Sequence, residues 1–152
     1  MVPIEVPSEV PQSAGAALAR APEASDAPAL LVVDDDSAGS AATQAILAGG
    51  GYAVTAEAAG DAVLLLVRES LVRLVVSELY IVCAEGPCVV AAIKRDRTRL
   101  PRLRVLVHTR HDAPADVAWA LDAGADALVP KPASGGVLLR EVGRLLDGTR
   151  AA

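Results

Sequence analysis

The stretch Arg73–Tyr80, RLVVSELY, decides how the rest of the chain reads. Leu74, Val75 and Val76 form a continuous apolar run of the kind that makes a buried β-strand, and Ser77 and Glu78 end it. Such a strand delivers Glu78 to the edge of a sheet. An unpaired buried carboxylate costs several kcal/mol, so a charge in this place is paired, hydrated or functional.

The pattern around this strand repeats. Apolar runs at Ala29–Val33, Tyr52–Ala56, Arg73–Glu78, Val105–His108 and Ala127–Val129 predict five strands. Helical segments alternate with them: Ser37–Ala48, Asp61–Glu69, Gly86–Lys94, Pro114–Ala123 and Gly135–Leu146. Asp36 or Ser37 is the natural N-cap of the first, and Gly49–Gly51 ends it. Pro87 falls in a first turn, where a missing N–H does no harm. Gly124 stops the fourth helix. Regular strand–helix alternation with continuous apolar strands implies a parallel sheet covered on both faces. Right-handed crossovers then give an α/β fold, a doubly wound open sheet, whose ligand chemistry sits at the carboxyl ends of the strands.

Composition sets the outer limits. The chain has 152 residues, 53% of them hydrophobic, enough for one domain with an appendage. The core is aliphatic, because Tyr52, Tyr80 and Trp119 are the only aromatic residues and there is no Phe. Residues 1–27 carry Pro3, Pro7, Pro11 and Pro22 and read as a disordered tail. The domain is expected over 28–148, with a short C-terminal tail at 149–152. A net charge of −5 argues against general binding of nucleic acid or anionic membranes. No apolar stretch is long enough to cross a membrane, and the acidic N-terminus does not resemble a signal peptide, so the expected location is the cytoplasm. Cys83 and Cys88 read as free thiols, and with His108 and His111 they match no common zinc spacing. No phosphate-cradling glycine motif, nucleophile elbow or triad is present.

The strand ends carry the chemistry. The first strand delivers Asp34 and Asp35, the third Glu78, the fourth His108 and Thr109, the fifth Lys131. In a flavodoxin-like strand order 2-1-3-4-5 these residues converge on one pocket. Paired acids hold a hard divalent cation through oxygen. A lysine and a hydroxyl hold a phosphoryl group.

From Pro28 to about Asp147 the chain resembles the receiver domain of bacterial response regulators. The matching pieces are LLVVDDD, the GYAV strand after the first helix, RLVVSEL, the strand ending VHT, AGADALV, and Lys131-Pro132. The separations Thr109–Gly124 and Gly124–Lys131 also fit. The resemblance implies a five-stranded flavodoxin-like fold with five helices. It implies a weak magnesium site at Asp34, Asp35 and the carbonyl of Tyr80, Asp35 being the better-matched ligand. It assigns the phosphoryl contacts to Thr109 and Lys131, and it implies a cis Lys131-Pro132 peptide.

The departures from that family matter as much. The acceptor position should be aspartate and is Glu78. Glutamate adds one C–C bond, about 1.5 Å, which displaces the carboxylate from in-line transfer. Two outcomes stay open: Glu78 imitates the phosphorylated state by reaching towards Lys131 and Thr109, or it forms an inert ion pair with Lys131. A phosphoaccepting receiver served by a histidine kinase is the rival. The usual aromatic switch on the fifth strand is Leu128. Arg110 replaces a small residue at the pocket rim, Val82 replaces a proline, and Ala133 replaces an aromatic.

Two surface features complete the expectations. Trp119 on the fourth helix should lie opposite Val117 and Leu121 and face outward, an anchor for a partner. By resemblance, the face of helix four, strand five and helix five serves output or homodimer contacts. The basic run Lys94–Arg104, with six of the fourteen Lys and Arg residues, reads as a solvated helix end and loop. After helix five only Gly148–Ala152 remain, so a stand-alone receiver is expected. It is not an enzyme, and it acts by contact with a histidine kinase or an output protein.

Overall fold

The computed structural model describes residues 27–69, 71–84, 89–96 and 100–151. The elements are β1 (Ala29–Val33), α1 (Ser37–Gly49), β2 (Ala53–Glu57), α2 (Gly60–Glu69), β3 (Val72–Ser77), α3 (Val89–Arg95), β4 (Arg104–Thr109), α4 (Pro114–Ala123), β5 (Ala127–Pro130) and α5 (Gly135–Ala151). The strands form one sheet in the order β2-β1-β3-β4-β5, and every pairing is parallel. This is the doubly wound, flavodoxin-like arrangement that the alternating runs predict.

The period-two alternation of the strands divides the aliphatic residues between two cores. Leu31, Val33, Val75, Val105 and Val107 face α2, α3 and α4, meeting Val63, Val67, Val90, Ile93 and Ala120. Leu30, Val32, Leu74, Val76, Leu106 and Val129 face α1 and α5, meeting Leu47, Leu138, Val142 and Leu146. The three central strands are therefore apolar on both sides. Edge strand β2 is half-buried along its whole length.

Local chemistry sets the helix ends. Asp36 caps α1, its carboxylate accepting from the Gly39 amide at 2.9 Å. Pro114 opens α4, and Gly124 closes it in the left-handed region at φ 117°. A side chain at Gly124 would also meet the Lys94 methylenes from α3. Lys94 in turn donates to the Asp122 carbonyl at 2.9 Å, tying α3 to α4.

Several expected boundaries move. Strand β2 starts at Ala53, not Tyr52, and runs to Glu57. Helix α5 continues past Leu146 to Ala151, so the expected tail at 149–152 begins as helix. The expected N-terminal tail lies outside the described residues except for Ala27. So do Gly86, Pro87, Cys88 and Arg97–Arg99. Leu121 was expected on the inward stripe of α4, yet it is 50% exposed. The only buried residue of that helix is Ala120, because a small side chain lets α4 sit close to the sheet.

Candidate functional site

The parallel register carries the strand ends to one line. The ladders run one residue past the strands: the Glu78 amide donates to the Val33 carbonyl at 2.8 Å, and the Lys131 amide to the Thr109 carbonyl at 2.8 Å. Asp34, Glu78, Thr109 and Lys131 are thus brought to the same edge from four strands. The Lys131-Pro132 peptide is cis, as the resemblance implies.

Lys131 holds the centre. Its Nζ lies 2.7 Å from Asp34 Oδ2 and 3.3 Å from Glu78 Oε2. The three side chains are 13%, 5% and 16% exposed. Each carboxylate has a second bond: Asp34 Oδ1 accepts from the Asp36 amide at 2.9 Å, and Glu78 Oε1 accepts from the Leu79 amide at 2.8 Å. Both acids are paired and hydrogen-bonded, which is what keeps a buried charge affordable. Burial by itself lowers the Lys131 pKa, but the bond to Asp34 and the charges of Asp34 and Glu78 prevail and raise it above its ordinary value.

Gly39 on α1 makes room for this cluster. A Cβ there would fall 2.8 Å from Asp36 Oδ2, 3.0 Å from Asp34 Oδ2 and 3.4 Å from Lys131 Nζ. Thr109 is fully buried, and its hydroxyl accepts from the His111 amide at 3.1 Å. Among the described residues no hydrogen bond joins Thr109 to Glu78, so only the Lys131 half of the expected reach is realised.

His108 is a member that sequence reasoning placed at the strand end without a role. It lines a space shared with Asp34, Thr43, Ser77, Glu78 and Lys131 that is too narrow for a water molecule. Its Nδ1 lies 2.8 Å from the Val129 carbonyl, so Nδ1 carries the proton. Burial pushes its pKa below the ordinary 6.5; the bond to Val129 and the nearby acids oppose that, while Lys131 reinforces it. The one sequence signal was a polar residue where an apolar strand position is due.

Asp35 does not join the ion-pair cluster. It is exposed and lines an open cleft of about 370 Å³ with Asp34, Ser37, Ser40, Gln44 and Glu57. Asp34, Asp35 and the Tyr80 carbonyl are the hard oxygen donors that suit magnesium. Of these, Asp34 already has its Oδ2 bound to the Lys131 ammonium. Among the described residues no group of three or more His, Cys, Asp or Glu side chains is arranged to hold a metal. Cys83, His108 and His111 belong to no such group among the described residues, and Cys88 lies outside them.

At the rim, Tyr80 connects three elements. Its ring packs edge-on against His111 at 4.9 Å between centroids and tilted against Trp119 at 5.5 Å. Its hydroxyl donates to the Asp116 carboxylate. Trp119 is 37% exposed, so the outward expectation holds with the qualification that Tyr80 covers part of the ring. Arg110 is exposed beside His111. The contact between Tyr80 and Trp119, 39 positions apart, had no signal in the sequence. No helix among the described residues is long and apolar enough to cross a membrane.

Comparison with known proteins agrees with this architecture. The model of the family described as response regulator receiver domain matches residues 30–142. A receiver domain protein described as CheY-like, from Methanospirillum hungatei JF-1, superposes with a TM-score of 0.72 at 23% identity, over 83% of this chain and 98% of that one. The signal receiver domain of a signal transduction histidine kinase from Syntrophus aciditrophicus superposes with a TM-score of 0.70 at 25% identity, over 80% and 92%. No curated protein matches the chain.

Proposed function

The chain belongs to the response regulator receiver domain family, and on that premise we propose that it works in two-component signalling by protein–protein contact, without being phosphorylated. The observation that carries this reading is the Lys131 ammonium bridging Asp34 and Glu78. In the family's chemistry that lysine meets the transferred phosphoryl group. Here it is engaged by the acid at the acceptor position.

Glu78 at that position is one C–C bond too long, about 1.5 Å. Both of its oxygens are already bonded, one to Lys131 and one to the Leu79 amide. Nucleophilic attack would have to break these bonds and then follow a line the longer side chain does not offer. Of the two roles open to Glu78, the ion pair has the stronger support. Imitation of a phosphoryl group calls for contact with Thr109 as well, and among the described residues no hydrogen bond joins Glu78 to Thr109, whose hydroxyl accepts from the His111 amide.

Magnesium would be held by Asp34, Asp35 and the Tyr80 carbonyl, supplying positive charge at the pocket. Its binding is weak, because it competes with the Lys131 ammonium for Asp34. The partner is a signalling protein, a histidine kinase or an output protein, and the contact surface includes Arg110 and Trp119.

The test is incubation with acetyl phosphate and magnesium followed by intact mass measurement. An unchanged mass is expected. An added phosphoryl mass that Glu78→Gln abolishes overturns the reading in favour of a working phosphoacceptor.

A further inference from the structure

The side chains of Tyr80, His111 and Trp119 at the rim have no task in the ion-pair pocket. Tyr80 leaves the turn after β3, His111 the loop after β4, and Trp119 stands on α4. The Tyr80 ring is held from three sides, by His111, Trp119 and the Asp116 carboxylate. Yet Tyr80 is 42% exposed and Trp119 37%. Fixed, partly exposed rings in contact form a preorganised aromatic platform, and Arg110, the exposed residue that precedes His111, adds a cation to the same loop. Aromatic platforms of this kind receive proline-containing segments, which lose little entropy because proline already restricts them.

The N-terminal stretch of the same chain carries the matching chemistry. It reads Val2-Pro3-Ile4-Glu5, Val6-Pro7-Ser8-Glu9, Val10-Pro11-Gln12-Ser13, three tetrapeptides that each begin Val-Pro. In the first two a glutamate follows two residues after the proline, suited to Arg110. Length is sufficient. Residues 12–26 span up to about 50 Å when extended, whereas β1, which they precede, is five residues long, about 17 Å. The stretch can therefore run from the amino end of the sheet to the rim at its carboxyl end.

We propose that residues 2–11 of this chain dock on its own Tyr80–Trp119–His111 platform, seating a Val-Pro unit on the rings and a glutamate against Arg110. Tyr80 lies two residues beyond Glu78, and His111 two beyond Thr109. Docked there, the segment would occupy the surface that a partner would use. This inference does not depend on whether Glu78 accepts a phosphoryl group.

Trp119 is the only tryptophan, so its fluorescence reports on the platform directly. Acrylamide quenching of the full chain is compared with that of a variant carrying Pro3→Ser, Pro7→Ser and Pro11→Ser. The quenching constant should rise about twofold in the variant, with a red-shifted emission, as an anchored ring is uncovered. A second variant, Glu5→Arg with Glu9→Arg, should show the same rise, and adding Arg110→Glu should restore protection. Equal quenching in wild type and the proline variant overturns the proposal. Protection that fades on dilution also overturns it, since the occupant is then a second copy. All of these substitutions leave the core and the three rings intact, so an unchanged thermal midpoint accompanies the expected result.

Discussion

Lys131 Nζ lies closer to Asp34 Oδ2, at 2.7 Å, than to Glu78 Oε2, at 3.3 Å. Glu78 is thus the junior partner of the ammonium, and Asp34, the more buried acid, is the senior one.

Removing the cation should cost more than removing either acid. Lys131→Met leaves two carboxylates buried and unpaired, and a loss of about 3–5 kcal/mol is expected. Glu78→Gln should cost about 1 kcal/mol, because the amide keeps one acceptor and Asp34 keeps the ammonium. Urea unfolding of the two variants checks the order. A Glu78→Gln variant that loses as much stability as Lys131→Met would place the main pairing at Glu78 instead.

Shortening Glu78 should restore the chemistry that its length prevents. Glu78→Asp, incubated with acetyl phosphate and magnesium, is expected to gain a phosphoryl mass that the parent chain does not. If the aspartate variant also stays unmodified, side-chain length is not the obstacle, and Arg110 or the Lys131–Asp34 bond becomes the next suspect.

Stability should fall as pH drops from neutrality. The folded-state pKa of His108 lies below its ordinary 6.5, because burial opposes the charged ring. Below pH 6.5 the unfolded chain takes the proton first, so stability is lost between that pH and the lower folded pKa. In His108→Gln this part of the slope should vanish in a series of urea midpoints from pH 7.5 to pH 5. Lys131 acts at the other extreme. Its raised pKa means a contribution fully present below 10.5 and lost as pH rises through the folded value.

Gly124→Ala should destabilise the chain by about 1–2 kcal/mol, read as a drop of several degrees in the thermal midpoint. Two causes add. The φ of 117° is strained for any side chain, and a methyl group would press on the Lys94 methylenes. An unchanged midpoint would mean that α4 ends in another way.

Much of the architecture was legible in the chain. Leu30–Val33 and Leu74–Val76 are short apolar runs of consecutive residues, as a strand buried on two faces requires, and Gly124 marks the end of α4. Helix ends were read less well where no cap or breaker stands, so α5 runs past Leu146 to Ala151. The α4 stripe misled because periodicity ranks Leu121 with Val117, whereas the sheet accommodates only Ala120. Asp34, Glu78, Thr109 and Lys131 were legible as a group because each sits within two residues of the end of an apolar run.

The sequence alone determined which residues arrive at the carboxyl edge of the sheet. Strand period and strand–helix alternation are local properties, and they dictate which position ends each run. It also determined that a glutamate, Glu78, stands at the end of the run that forms β3. The tertiary structure decided how those residues divide their partners. The Lys131 ammonium is drawn to the deepest carboxylate, Asp34; Glu78 turns one oxygen to its own backbone; Thr109 pairs with His111; and Tyr80 meets Trp119. These choices depend on differences of a few tenths of an ångström between side chains from separate strands. Such distances are set only when the sheet, α1 and the rim loops are packed together.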